Sequence, residues 1–337
     1  NQGTYYSRDK LIGLGHTRLS IQDLSFSANQ PMVSSCKRFV ITFNGEIYNF
    51  NLIKKFLDSK SGKFVYKSQS DTEVLLNLFS YCKEKKKRLC YFLSKLQGIF
   101  SLAIWDNKEK ELFIARDSFG VKPLYYSQGE KGFFFSSEIK AIAELGVEIR
   151  DIDPISINNY LTYIWCPGDG TPVKNIKKIF PGEYLIVKNG LINKKKLWYK
   201  NSYLKQKKIY QNKLNYSEGD YILNTKKFLK KAVFKQLVSD VPLGCFLSGG
   251  LDSSSIVAFA REKIPDLKCF TIKNKDSLHE DGFVEDFKFA EKVAKHLEVE
   301  LEAIEVDKDM LINNIENMVY TMDEPISDPA SINVQLI

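Results

Sequence analysis

The sequence predicts an α+β domain followed by an α/β domain. Three observations carry this. The first half holds a succession of short strand-like runs with few helical patterns between them. The second half alternates strand, helix, strand, helix and strand, an order that requires right-handed crossovers and a parallel sheet. Between the halves, from Lys194 to about Ser217, the pattern dissolves into Lys, Asn, Tyr and Gln. A length of 337 residues fits two domains at roughly 100–200 residues each. The expected division is residues 1–195, a linker at 196–217, and residues 218–337.

In the first half, residues 10–21 (KLIGLGHTRLSI) read as a strand running into a tight loop. Phe39 to Phe43 is rich in β-formers and ends at Asn44-Gly45, a pair that favours a turn with positive φ. Ile47 to Leu57 carries apolar residues at 47, 50, 53, 56 and 57, a helical spacing. Ser70-Asp71-Thr72-Glu73 has the form of a capping box, and the helix it opens lines up Val74, Leu75, Leu78 and Phe79. Ile99–Trp105, Glu111–Ala115, Lys122–Ser127 and Gly132–Ser136 follow as strands, with turns at Asn107 and Gly129. Ser136-Ser137-Glu138 opens a further helix through Ile142. Glu183–Val187, between Pro181-Gly182 and Asn189-Gly190, supplies a last hairpin.

In the second half, a helix from about Glu218 to Val238 leads into the apolar run Val241–Leu247. Ser248-Gly249-Gly250 is a tight loop, and Leu251 opens a helix that reaches about Glu262. Strands at Leu267–Ile272 and Val299–Val306 enclose an amphipathic helix, Glu285–Leu297, whose apolar face is Phe289, Ala290, Val293, Ala294 and Leu297. A final helix covers Met310–Met322. Ligands of such sheets bind at the carboxyl ends of the strands, where 248–253 falls. A strand, a glycine loop and a helix N-terminus converge free N–H groups and the positive helix dipole on one spot, which makes an anion site. It is not a Walker A loop, because Leu251 stands where that loop has Lys. It is not a G-x-S-x-G elbow either. Without its strand it would read as a glycine turn with a Ser or Asp helix cap. Ser248-Gly249-Gly250-Leu251-Asp252-Ser253 resembles the PP-loop of ATP pyrophosphatases, which split ATP into AMP and pyrophosphate.

Composition narrows the class. Hydrophobic residues make 44% and charged residues 27%, as in globular proteins. No apolar run reaches the ~18 residues of a membrane span. The six cysteines, at 36, 82, 90, 166, 245 and 269, form no C-x-x-C pair, which argues against zinc and a disulfide scaffold and fits a cytoplasmic location. The three histidines are far apart in sequence and suggest no metal site. A net charge of +8 comes from runs such as Lys85–Lys87 and Lys194–Lys196. No aromatic residues interleave with these runs, so they read as solvated surface and not as a nucleic-acid face.

The whole chain resembles the glutamine-dependent asparagine synthetase family, a glutaminase fused to an ATP-pyrophosphatase-type synthetase. In the first half the resemblance rests on Gly15–Ile21 (GHTRLSI), Phe43–Asn49 (FNGEIYN), Ser70–Glu73 and Ala115–Tyr126 (ARDSFGVKPLYY). In the second half it rests on Asp240-Val241-Pro242 running into Ser248–Ser254, and on Asp323-Glu324-Pro325. The order and spacing of these segments are what make the resemblance specific.

The resemblance implies an N-terminal-nucleophile α/β/β/α sandwich followed by a parallel-sheet PP-loop domain. It implies that Arg18 grips the glutamine α-carboxylate and that Leu19, Ser20, Ile21 and Gln22 line the pocket. Asn44 and Gly45 would form the oxyanion hole, and Glu46 and Asp71 would hold the α-amine. In the synthetase, Leu247 and Ile272 would flank adenine. Ser248, Gly249, Gly250, Asp252 and Ser253 would hold pyrophosphate, with Mg²⁺ on Asp252. The implied partners are glutamine, ATP and a carboxylate acceptor, aspartate in the namesake reaction, with a homodimer left open. Ammonia would pass from one site to the other without release to water. Taken singly, Arg18 could be a surface residue, Asn44-Gly45 a hairpin turn, Asp71 compensation of a helix dipole and Ile272 a strand core residue. Arg116-Asp117 reads as a structural ion pair.

The family's nucleophile is a Cys at the mature N-terminus, and Asn1-Gln2-Gly3 resembles the point just after its His-Arg-Gly-Pro-Asp segment. The expectation is therefore a piece lacking both ends, with the nucleophile upstream and the later Ser-Gly-Glu-Gly-x-Asp-Glu segment downstream. Competing readings are an amidotransferase for a sugar acid or other carboxylate, a β-lactam synthetase-like enzyme, a catalytically dead nucleotide-binding homologue and a tRNA-modifying PP-loop enzyme. Arg18, Asn44, Glu46 and Asp71 together speak against the second, and the glutaminase-like half against the last.

Overall fold

The computed structural model describes residues 2–61, 64–200, 217–275, 286–328 and 330–336. Asn1, most of the expected linker (201–216) and the expected helix start at Glu285 lie outside them. The chain divides into two compact units, Asn1–Tyr203 and Leu204–Ile337.

The first unit is built on a six-stranded antiparallel sheet. Its strands are β3 (Met32–Val33), β4 (Phe39–Ile47), β5 (Gly98–Asp106), β6 (Glu111–Arg116), β10 (Glu183–Lys188) and β11 (Leu191–Leu197), in the order β11-β10-β6-β5-β4-β3. Alternation along the strands gives the sheet two apolar faces. Phe39, Ile41, Phe43, Leu102 and Phe113 point to one side, where α1 (Phe50–Ser61), α2 (Asp71–Glu84) and α3 (Leu89–Ser94) cover them. Phe79 of α2 meets Phe39 and Phe92 edge-to-face, at 5.3 and 5.2 Å between ring centroids. Val40, Ala103, Trp105, Leu112 and Ile114 point to the other side.

That second face is covered by the hairpin β1 (Gln2–Tyr6) and β2 (Gly13–Thr17), and by a three-stranded sheet of β7 (Tyr125–Gly129), β8 (Gly132–Ser136) and β9 (Lys177–Lys178). Helix α4 (Ile139–Glu144) closes the outside through Ile139 and Ile142, packed with Tyr125 and Ile176. The layers therefore run helix, sheet, sheet, helix, which is the α/β/β/α sandwich. A further helix, α5 (Pro154–Tyr163), starts on an Asp153 cap. Trp198 stacks on Phe100 and donates to the Arg116 carbonyl at 3.1 Å, tying the end of β11 into this unit.

Several elements depart from the sequence expectation. Asn44-Gly45 is not a turn; it lies inside β4, paired with Ser101 and Phe100. The helix after it starts at Phe50 rather than Ile47, because β4 runs on to Ile47. Ser70 caps α2 by accepting the Glu73 N–H, but Glu73 does not complete a capping box. Its carboxylate accepts instead from the N–H groups of Lys67 and Ser68. Helices α3 and α5 were not anticipated.

The second unit is a parallel sheet of β12 (Gly244–Phe246), β13 (Lys268–Asn274) and β14 (Glu300–Val306), adjacent in that order. Its helices are α6 (Glu218–Gln236), α7 (Leu251–Arg261), α8 (Asp286–Leu297), α9 (Lys308–Thr321) and α10 (Ala330–Leu336). Ser217 and Asp220 form a full capping box on α6. The core joins Val233, Leu247, Val257, Ala260, Leu267, Cys269, Ala290 and Ala294. Helix α8 approaches through its two small alanines, while Phe289, expected on the buried face, is 46% exposed. The strand predicted from Val241 is regular only from Gly244. No helix among the described residues is long and apolar enough to cross a membrane.

Candidate active site

Strand β4 organises the first site. Its alternation sends Phe43 toward the helices and places Asn44 and Glu46 on a cleft of about 890 Å³. Gly45 lies between them at φ +148°, a conformation reserved for glycine. A Cβ on Gly45 would stand 2.1 Å from the Ile99 carbonyl oxygen, and one on Gly98 would stand 2.0 Å from the Glu46 carbonyl oxygen. The two strands thus close on each other without side chains where the cleft needs backbone.

The loop after β2 forms one wall. Arg18 donates through Nη2 to the carbonyls of Gln22, at 2.6 Å, and Asp23, at 2.8 Å. Asp23 accepts the N–H of Gln69 at 2.6 Å, which joins this loop to the entrance of α2. The Gln22 amide donates to the Glu46 carboxylate. Leu19 and Ile21 line the cleft, whereas Ser20 is not among its described lining residues. Asp71, the first residue of α2, is buried and accepts the Ile47 N–H at 2.8 Å.

The electrostatics follow from this packing. Burial, reinforced by the charge of Asp71, pushes the Glu46 carboxyl up to about 7, against the Gln22 bond and the cations Lys122 and Arg18. Burial raises Asp71 to about 6. Burial and neighbouring Arg18 lower His16, on β2, to about 4. The cleft therefore holds two carboxylates whose charge is costly despite the nearby cations Arg18 and Lys122.

Gln30, Thr72, Ser101, Lys122 and Ser137 also line this cleft, although the sequence reading gave none of them a site role. Gln30 brackets Phe43 like a strand partner, accepting its N–H at 2.7 Å and donating to its carbonyl at 3.1 Å. Lys122 belongs to the ARDSFGVKPLYY segment, whose Arg116-Asp117 pair proves to be a loop brace. Arg116 donates to the carbonyls of Gly120, Lys122 and Ile179, each at 2.7 Å. Asp117 accepts from the N–H groups of Phe100, Phe119, Val121 and Lys122.

The second site is the loop between β12 and α7. Leu247 is buried and donates its N–H to the Phe270 carbonyl at 2.9 Å. Gly249 has φ +80°, and a Cβ there would stand 2.4 Å from the Phe289 carbonyl carbon. Gly250 caps α7 without a side-chain bond. The Ser254 N–H already reaches the Gly250 carbonyl at 3.0 Å, so the donors before it face out of the helix end. The Ser248 and Ser253 hydroxyls are 3.1 Å apart at this opening. Asp252 is exposed in the first turn. Ile272 is half-buried on β13, opposite Ile304.

Comparison with known proteins matches the chain to two families. Residues 1–199 match the glutamine amidotransferase domain family, and residues 224–337 match the asparagine synthase family. The chain belongs to the glutamine-dependent asparagine synthetase family. Among its relatives, asparagine synthetase [glutamine-hydrolyzing] 1 of Bacillus subtilis is 33% identical over 98% of this chain and 49% of its own length. Asparagine synthetase 3 of the same organism is 37% identical over 73% of this chain and 38% of its own. The amidase chyE of Penicillium rubens is 28% identical over 94% of this chain and 46% of its own. The chain thus spans about half the length of the curated relatives it matches. Asn44, Gly45 and Glu46 fall on β4, and Arg18 and Asp71 line the same cleft from the loop after β2 and the start of α2.

Proposed function

We propose that the protein is a glutamine-dependent amidotransferase that makes asparagine, with glutamine cleaved in the first unit and ATP used in the second. The observation that carries this is the meeting of Arg18, Asn44, Gly45, Glu46 and Asp71 around one cleft. A zwitterion requires one cation and a negative partner, and this cleft supplies both. Arg18 takes the α-carboxylate of glutamine, and Glu46 with Asp71 takes its ammonium. When the nucleophile adds to the side-chain amide, Asn44 and Gly45 donate to the oxyanion. Collapse of the adduct expels ammonia, and hydrolysis then releases glutamate.

In the second unit the outward N–H groups, Ser248 and Ser253 hold the phosphates of ATP. Mg²⁺ fits the donor set here. Asp252 offers a single exposed hard carboxylate beside a phosphate site, the arrangement Mg²⁺ favours. Among the described residues no cluster of three or more His, Cys, Asp or Glu would hold a metal by itself. When bound, the ion would neutralise charge on the departing pyrophosphate. The acceptor carboxylate takes AMP, and ammonia displaces it to give the amide. We further propose that the boundary lies within the expected 196–217 stretch but after Trp198, which still packs in the first unit, with the glutaminase before it and the synthetase after it.

Aspartate as acceptor is supported by the asparagine synthetase relatives. The similarity to amidase chyE supports a second reading, the same chemistry on a different acid. Pyrophosphate release by the full-length protein, measured against a panel of carboxylates, decides between them. Release is expected only with an acceptor present, and Asp252→Ala is expected to abolish it. Undiminished release in that variant refutes the ATP site.

A further inference from the structure

Asn44 has a partner in the opposite β layer. Its amide Nδ2 donates to Ser137 Oγ at 3.1 Å, across 93 positions of sequence. Ser137 sits at the junction of β8 and α4, and both sides of that junction are anchored. Ser136 ends β8 in register with Tyr125, and its hydroxyl accepts the Glu138 N–H at 3.1 Å. Ile139 and Ile142 then root α4 in the apolar cluster on the outer side. The Ser137 hydroxyl is therefore held by a rigid frame that owes nothing to β4.

A primary amide carries two N–H donors in one plane. If one is fixed on Ser137, rotation about the Asn44 side-chain bond is stopped, and the second donor keeps a constant direction into the cleft. An oxyanion donor accelerates a reaction only when it is aimed before the charge develops. We propose that Ser137 is a positioning residue for glutamine cleavage, orienting the Asn44 amide toward the oxyanion. This rests on the glutaminase reading of the cleft. Ser137 needs no contact with glutamine, so it acts on the chemical step and not on substrate binding. The same bond spans the two β layers, so the geometry of the oxyanion hole depends on their spacing.

The test is steady-state glutamine hydrolysis by the full-length protein, with ammonia-supported amide synthesis measured in parallel. Removing an oxyanion donor outright costs about 100–1,000-fold in kcat; releasing one from its guide should cost less, about 5–20-fold. Ser137→Ala is expected to lower kcat by that factor with KM for glutamine and ammonia-supported synthesis unchanged. Ser137→Cys, close in volume but a poor acceptor, should lose as much as Ser137→Ala. Ser137→Thr, which keeps the hydroxyl, should restore most of the rate. Combined with Asn44→Ala, Ser137→Ala should add no further loss.

Wild-type kcat in both the Ala and Cys variants overturns the proposal. So does an equal loss in Ser137→Thr, or a full additional loss on the Asn44→Ala background. A wild-type protein that makes the amide from ammonia but never cleaves glutamine overturns the glutaminase reading instead, and the proposal with it.

Discussion

Asp71 accepts the backbone N–H of Ile47 at 2.8 Å, which sets its carboxylate beside that of Glu46, the preceding residue on β4. Each carboxylate is held above its ordinary range, Glu46 at about 7 and Asp71 at about 6. Burial is the main cause for both, with the charge of Asp71 adding to it at Glu46, so both carboxylates resist ionisation until a further cation compensates them. The ammonium of glutamine is such a cation.

The first prediction concerns pH. Only the ionised carboxylates attract an ammonium group. Glutamine should therefore bind more weakly as pH falls through about 7 and again through about 6. The profile of kcat/KM against pH for glutamine hydrolysis should show an acidic limb in this range. Glu46→Gln should remove its upper inflection. A flat profile between these values contradicts the role assigned to Glu46.

The same shifts bear on stability, with the opposite sense. A carboxyl raised in the folded state binds a proton that the unfolded chain has already released. Its contribution is fully present below the unfolded value and is lost as pH rises through the folded one. Stability without ligand should therefore fall between about pH 4 and about pH 7. Glu46→Gln should raise Tm at pH 8 by about 2–4 °C, the effect of ~1 kcal/mol in a domain of this size. At pH 4 the two proteins should melt together. Thermal denaturation at both pH values checks this.

Gly45→Ala tests the close approach of β4 and β5. The new methyl would collide with the Ile99 carbonyl, and φ +148° is strained for alanine. Together these should cost roughly 2–4 kcal/mol. The urea midpoint should fall with an unchanged m value.

Arg18→Ala should separate the two nitrogen sources. Loss of a hydrogen bond to a charged group costs about 1.5–3 kcal/mol, so KM for glutamine should rise about 10–100-fold. Amide synthesis from ammonia should survive. An equal loss of both activities would refute the carboxylate-gripping role.

The strands of the first half and the alternation of the second were readable because their periods are local properties. Loop 248–250 was readable for the same reason, as was the helix start at Ser70. Asn44-Gly45 was misread as a turn because turn preference is also local, whereas its place in β4 depends on Gly98 across the sheet. Glu73 had the spacing of a capping partner, yet the N–H groups of Lys67 and Ser68 compete for its carboxylate and win. Gln30 and Ser137 were given no place in the site for a related cause. Each reaches the cleft from a segment remote in sequence, and no period or motif records which layer will face which. Ser137 was seen only as the opening of a helix, although its hydroxyl points the other way, to Asn44.

The seat of Gly249 has a consequence for change over time. The backbone of Phe289 and Ala290 fills the space that any side chain at position 249 would need. Loop and helix α8 are thus a lock and its bolt. Neither can be exchanged in a lineage without the other retreating, and a transplanted loop would have to bring α8 with it.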